Sequence, residues 1–142
     1  MYGKILVAID STPESTAVLA QASGLALATG SDVHVLHVQG IEVIGSAVGA
    51  AAVVEDETAD EAQQLVKSAI ETLAGAGVKA TGSSVELARE TIAEEIREQV
   101  SATGAGLLII GARRHGALAT VFLGSVSDGI VHHAPCPLLL VP

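Results

Sequence analysis

The sequence predicts an α/β protein, a three-layer sandwich in which helices cover both faces of a five-stranded parallel sheet. Short apolar runs rich in Val, Ile and Leu alternate along the chain with segments of helical periodicity. Regular alternation of strand and helix implies right-handed crossovers, and these make neighbouring strands parallel. The 142 residues contain no repeat and no linker, so we expect a single domain over residues 1–142.

An apolar run and a turn signal mark the first strand and the first helix. Lys4–Ile9 (KILVAI) is apolar after its first residue, which is typical of a strand buried on both faces. Ser11 and Glu14 have the spacing of a capping box, which predicts a helix that runs to about Thr29. Residues 32–38 (DVHVLHV) then predict the second strand.

The remaining elements continue the same alternation. Residues 55–74 place apolar side chains at every third or fourth position, with acids between them, which indicates an amphipathic helix. Residues 78–87 form a more polar strand, expected near an edge of the sheet. Residues 91–100 predict a short helix with Ile92, Ile96 and Val100 on one face. A strand, a helix and a strand complete the chain at residues 107–110, 125–133 and Leu138–Val141.

One segment does not fit the alternation. Residues 40–55 are rich in Gly and Ala and carry no charge between Glu42 and Glu55. The segment is too short to span a membrane. It is either a mobile connection with a hydrophobic flank, or a flap over a ligand or a partner-contact surface.

Composition excludes several classes of function. A net charge of −9 opposes binding to nucleic acid or to an anionic membrane. Tyr2 and Phe122 are the only aromatic residues, so stacking platforms for single strands are also disfavoured. Cys136 is the only cysteine, which excludes an internal disulfide. With no signal peptide and no spanning run, we expect a cytoplasmic protein.

Candidate ligand-binding residues lie where strands end. In open α/β sheets ligands bind beyond the carboxyl ends of the strands, so residues 9–12, 38–40 and 111–116 are expected to converge. One interpretation of Asp10 is that it caps the following helix. The other is that it binds a ligand, either by accepting a hydrogen bond from a ribose hydroxyl or by helping to hold a metal ion on a triphosphate. Gly111 either serves a turn or leaves room for a ligand beside the backbone.

The start of the last predicted helix is a candidate anion site. Gly124 and Ser125 open this helix, where unpaired N–H groups and the helix dipole favour negative charge. Ser125 is either a simple cap or a phosphate donor. Arg113 and Arg114, two of the four arginines in the chain, lie shortly before it.

Several catalytic signatures are absent from the sequence. It has no Gly-Lys-Ser/Thr phosphate loop, no dinucleotide glycine pattern and no Gly-x-Ser-x-Gly elbow. The histidines lack metal-ligand spacing, and His34 and His37 are expected on opposite faces of a strand. We therefore expect no dedicated enzyme and no metal held by protein ligands alone.

Four stretches together resemble the universal stress protein (UspA-type) domain, collinearly over essentially the whole chain. They are KILVAIDSTPES, VHVLHV, LLIIGARRHG and LGSVSDGIVHHAPCPLLLV. The resemblance implies the Usp fold, an adenine nucleotide alpha hydrolase-like architecture, in a homodimer joined through the last strand, here Leu138–Val141. Many members bind ATP and others do not.

The ATP-binding members carry the motif Gly-x2-Gly-x9-Gly-Ser/Thr. Its first glycine matches Gly111 and its end matches Gly124 and Ser125, whereas Arg114 stands in place of the second glycine. Gly116 is out of register by two positions. Gly106 departs from the pattern in another place, where the family usually has an acid.

The resemblance also matches the family's aspartate with Asp10 and its adenine-side backbone with Val38. It implies binding of ATP, with Mg near Asp10. The full expected binding set is Ile9, Asp10, Ser11, Val38, Gly111, Arg113, Arg114, Gly116, Gly124, Ser125 and Val126.

Arg114 leaves more than one interpretation open. If the position needs a positive φ or close approach of a phosphate, Arg114 blocks the ligand. If the backbone can adopt the required conformation, the Arg114 guanidinium adds charge-assisted hydrogen bonds to a triphosphate. The third interpretation is that Arg114 is a solvated loop residue unrelated to the nucleotide. The leading hypothesis is an ATP-binding stress sensor or regulator. The alternatives are a nucleotide-free dimeric module for an unknown protein partner and, third, a nucleotide-dependent enzyme.

Overall fold

Strands and helices alternate along the chain. The computed structural model describes residues 2–45, 51–54, 59–88, 91–111 and 127–142. Its strands are β1 (Lys4–Ile9), β2 (Asp32–Gly45), β3 (Ala51–Val54), β4 (Ala80–Ala88), β5 (Leu107–Gly111) and β6 (Leu138–Val141). Its helices are α1 (Ser15–Thr29), α2 (Ala59–Gly75), α3 (Ile92–Thr103) and α4 (Ser127–His132).

Five strands form a parallel sheet in the order β4-β2-β1-β5-β6. β1 pairs with β2 on one side, where Leu6 is opposite His34, and with β5 on the other, where Leu6 is opposite Leu108. The chain therefore winds outward from β1 in both directions, and the strand order reverses beside β1. Among the described strands β4 pairs with β2 alone, at an edge, as its polar sequence predicts.

Helices cover both faces of this sheet. Successive strand residues point to opposite faces, so Ile5 and Val7 pack under α1 and α2, whereas Leu6 and Leu108 pack under α3 and α4. The buried side chains are almost wholly aliphatic. The predicted α/β fold, with a five-stranded parallel sheet between two helical layers, is confirmed.

The helices bury the faces that their periodicity predicts. α3 buries Ile92, Ile96 and Val100, and the buried face of α2 includes Val66 and Leu73. The predicted start of α2 at residue 55 and the first two residues of the last predicted helix lie outside the described residues. Among the described helices, none is long and apolar enough to cross a membrane.

The second strand is longer than predicted. It does not end at Val38 but continues to Gly45, and β3 returns beside it in an antiparallel pair with Glu42 opposite Val54. The β-branched residues of this stretch favour a strand, and the antiparallel ladder pairs its backbone groups. The predicted end of the second strand at Val38 is therefore wrong, since residues 40–45 and 51–54 belong to β-strands. That the segment over residues 40–55 is a mobile connection stays a prediction. Its role as a flap or a partner surface stays a prediction.

Candidate functional site

β1 and β5 end side by side at one edge of the sheet, and β2 passes this edge at Val38 and continues beyond it. Ile9 pairs with His37, which puts Asp10 beside Val38, and β5 ends at Gly111 on the other side of β1. This edge is the carboxyl end of the parallel strands, next to the reversal of strand order, where α/β proteins bind ligands. The structure thus brings together the described members of the predicted binding set.

A dense set of hydrogen bonds holds the turn after β1. The Thr12 N–H donates to Asp10 Oδ1 at 2.9 Å, and the Thr12 hydroxyl donates to the same oxygen. Ser15 Oγ lies 2.8 Å from the Asp10 carbonyl oxygen and 3.2 Å from Oδ1, so its single proton goes mainly to the carbonyl. The Asp10 N–H donates to Ser15 Oγ at 3.2 Å. Every hydrogen bond from described residues to the carboxylate goes to Oδ1.

α1 begins later than predicted and without the predicted capping box. Its N-cap position is Glu14, which makes no side-chain cap hydrogen bond, and Ser11 is exposed. The Asp10 carboxylate takes the Thr12 N–H, and this bond holds the following residues as a turn before the helix. Asp10 therefore organises the turn and does not cap the helix itself, whereas its contact with a ligand stays a prediction.

Ile9, Val38 and Gly111 offer a ligand mainly their backbone. The side chains of Ile9 and Val38 are buried in opposite cores. Gly111 has no positive φ, and a Cβ built on it would lie 3.5 Å from Val18 Cγ2, an ordinary contact. Among the described residues, neither backbone conformation nor packing requires glycine at this position. Whether Gly111 serves a turn or leaves room for a ligand stays a prediction.

A buried imidazole lies near the turn. His37 is fully buried, and its Nδ1 is 3.1 Å from Ser84 Oγ. Burial lowers the pKa of His37, and the Asp10 carboxylate partly opposes this shift. His34 lies on the opposite face against β4 hydroxyl groups, as parity predicts, and burial lowers its pKa as well.

The other half of the predicted binding set lies outside the described residues. It consists of Arg113, Arg114, Gly116, Gly124, Ser125 and Val126. The part that each plays, including whether Arg114 blocks or grips a phosphate, stays a prediction. Among the described residues, no cluster of three or more His, Cys, Asp or Glu is placed to hold a metal ion.

Sequence reasoning missed the partners that fix the site. Thr12 and Ser15 could have been found, since they are hydroxyl residues two and five positions after a strand-end aspartate. The role of Arg97 could not have been predicted, because nothing in the sequence pairs this residue with Gly129. Its Nη1 donates to the Gly129 carbonyl at 2.9 Å, and a Cβ on Gly129 would lie 3.2 Å from Ala93 Cβ. α3 therefore fixes α4, the helix that follows the predicted anion site.

An open parallel sheet with a charged turn at the reversal of strand order is the architecture of α/β ligand-binding domains. The profile of the Universal stress protein family matches residues 1–142, and the chain belongs to this family. It is 30% identical over 149 residues to Universal stress protein YxiE of Bacillus subtilis, covering 99% of both chains. It is 31% identical over 153 residues to Universal stress protein Sll1388 of Synechocystis sp., covering 99% of this chain and 97% of the relative.

Solved structures share the fold. UspA from Lactobacillus plantarum superposes with a TM-score of 0.75 at 17% identity, covering 99% of this chain and 98% of the other. A universal stress protein from Archaeoglobus fulgidus in complex with dAMP has a TM-score of 0.68 at 22% identity, with coverages of 99% and 98%. A family protein from Arabidopsis thaliana with AMP bound has a TM-score of 0.59 at 21% identity, with coverages of 97% and 90%.

Proposed function

We propose that this protein binds an adenine nucleotide at the carboxyl edge of β1, β2 and β5, and acts in the cytoplasm as a sensor or regulator in the stress response. The observation that best supports this proposal is the turn at Asp10, where hydrogen bonds hold a carboxylate beside the reversal of strand order. The dAMP and AMP complexes of the two structural relatives support adenine nucleotides as the ligand class. We propose a binding function, with ATP hydrolysis slow at most.

Within this proposal the ligand is ATP, accompanied by Mg²⁺. Asp10 fits such a group, because Mg²⁺ is commonly held by one or two carboxylates together with the phosphates of the nucleotide. Bound Mg²⁺ would neutralise phosphate charge in a chain whose own net charge is −9. The Val38 backbone would face the adenine, and the predicted anion site at Gly124 and Ser125 would receive the phosphates.

Calorimetric titration of ATP into the purified protein, with and without Mg²⁺, tests this proposal. We expect saturable binding with a Kd on the order of 1 mM or tighter. Asp10→Asn and Gly124→Val should each weaken it by roughly tenfold or more. Asp32→Asn is the matched control, since it removes a carboxylate beside Lys79 at the amino end of β2. Absence of saturable binding in the wild-type protein would contradict the proposal.

A second candidate is a nucleotide-free dimeric module that binds an unknown protein partner. The observation that favours it is Arg114, which stands where the ATP-binding members have a glycine. Arg114→Gly separates the two candidates. If the substitution creates ATP binding, the nucleotide-free module is supported, whereas weaker binding than in the wild type supports the first proposal.

A further inference from the structure

The two carboxylate oxygens of Asp10 differ in their hydrogen bonding. Oδ1 accepts from the N–H and the hydroxyl of Thr12, with a third and longer contact from Ser15 Oγ. An oxygen with two donors has both lone pairs engaged. Among the described residues none donates to Oδ2. A ligand at the strand ends would therefore meet, in one fixed orientation, an oxygen to which no described residue donates.

Ser15 fixes the main chain of Asp10 just as Thr12 fixes its carboxylate. Ser15 Oγ accepts from the Asp10 N–H at 3.2 Å and donates to the Asp10 carbonyl at 2.8 Å. The end of β1 is thereby bound to the first residue of α1 through both backbone groups of Asp10. Two residues thus set the position and the rotation of the carboxylate, and neither needs to touch a ligand.

The charge of this carboxylate is not explained by the turn alone. Asn or Ser can accept the same N–H in a turn of this kind without adding a charge. A negative charge is unfavourable in a chain whose net charge is −9. Nor does α1 use it as a cap, since its first turn contains no acidic residue and its N-cap makes no side-chain bond. The charge is therefore available to a ligand.

We propose that Thr12 and Ser15 are positioning residues of the nucleotide site, which hold Asp10 so that Oδ2 alone faces the ligand. There Oδ2 accepts from a ribose hydroxyl or binds the Mg²⁺ that accompanies the nucleotide. This role rests on the proposed function. It adds to that function a reason for tight binding, because a carboxylate held in place beforehand loses little freedom when the ligand arrives.

ATP affinities of Thr12→Val and Ser15→Ala, measured in the wild-type and Asp10→Asn backgrounds, test the proposal. Each substitution should weaken ATP binding by about tenfold in the wild-type background. Each should have little further effect beside Asp10→Asn, because the two residues act through that carboxylate. Thr12→Ser keeps the hydroxyl and should keep the affinity.

The partner of Oδ2 is identified by repeating the Thr12→Val comparison with three probes. These are 2′-deoxy-ATP, 3′-deoxy-ATP, and ATP without Mg²⁺. If the loss of affinity in Thr12→Val disappears with one deoxy analogue, the partner of Oδ2 is the ribose hydroxyl that this analogue lacks. If the loss disappears without Mg²⁺, the partner of Oδ2 is the cation. Both results support the positioning role, whereas an effect that is the same with every probe overturns it.

Two further results overturn the positioning role but leave the proposed function intact. The first is normal ATP affinity in Thr12→Val and Ser15→Ala while Asp10→Asn weakens binding. The second is an equal loss in both backgrounds, which would mean that the residues act on the fold. If wild-type protein binds no ATP, the proposed function fails and the positioning role fails with it. Should Ser15→Ala not fold, Thr12→Val and Thr12→Ser carry the test alone.

Discussion

The backbone of Tyr2 passes so close to Gly106 that a Cβ on Gly106 would lie 2.6 Å from the Tyr2 carbonyl oxygen. Gly106 also donates its N–H to the Lys4 carbonyl at 2.9 Å, at the start of β1. The approach leaves no room for a side chain at Gly106.

Gly106→Ala is expected to destabilise the protein by about 1–3 kcal/mol, because the added methyl group must displace backbone and not a flexible side chain. The measurement is the free energy of unfolding in urea. Gly75→Ala is the matched control, since a Cβ there meets nothing within 4 Å and its φ is not positive. Equal stabilities of the two variants would contradict the close approach.

Arg97→Met is expected to destabilise the protein by about 1–3 kcal/mol, since it removes a charged donor from the Gly129 carbonyl while keeping most of the apolar stem. Urea unfolding provides the measurement. Lys67→Met on the exposed side of α2 serves as the control and should change stability by less than about 0.5 kcal/mol. A loss no larger than that of the control would show that the contact between α3 and α4 does not depend on this bond.

The stability of the protein should fall as the pH drops below the ordinary histidine range. Burial lowers the pKa of His37 in the folded state, so the unfolded chain takes up this proton at a higher pH. The stabilisation is fully present above the unfolded pKa of about 6.5 and is lost progressively below it, by at most about 1.4 kcal/mol per pH unit.

Urea unfolding between about pH 7.5 and 5.5 measures this dependence across the ordinary histidine range. His37→Asn should be less stable at the upper end of the window but should lose less stability towards the lower end. His133→Gln is the control on an exposed histidine and should follow the wild type. If His37→Asn keeps the wild-type slope, burial of the neutral imidazole is not the cause.

We expect a homodimer joined through β6, and Leu140→Lys should weaken it by tenfold or more. Leu140 lies on β6 with 39% of its surface exposed, and among the described strands β6 pairs with β5 alone. Sedimentation velocity over a range of concentrations gives the dimer constant. Leu27→Lys on α1, where Leu27 is 55% exposed, is the matched control and should remain dimeric. A monomeric wild type, or equal effects of both substitutions, would rule out this interface.

Local periodicity was sufficient to predict the sheet and its helical layers. Ile92, Ile96 and Val100 repeat at helical spacing, and all three are buried. The length of β2 could not be predicted in this way, because the strand continues past Val38 through pairing with β4 as far as Ile41 and with β3 from Glu42 to Gly45. Such pairing joins residues that are distant in sequence and leaves no periodic trace in either segment.

Some features of the candidate site could be predicted from the sequence and others could not. The strand-end location of Asp10 follows from the fold class alone, since parallel strands present their carboxyl ends at one edge. The different hydrogen bonding of Asp10 Oδ1 and Oδ2 cannot be predicted from the fold class, because it depends on where the Thr12 and Ser15 hydroxyls point. The capping box predicted at Ser11 was wrong, because α1 begins only at Ser15, with Glu14 at its N-cap position.

Binding of an adenine nucleotide at the carboxyl edge of β1, β2 and β5 is tested most directly by backbone amide NMR spectra recorded during a titration with ATP and Mg²⁺. We expect saturable shifts at Asp10, Thr12 and Gly111, little change at the opposite edge around Asp32, and loss of these shifts in Asp10→Asn. Saturable shifts confined to other parts of the protein, or no saturable shifts at all, would contradict it.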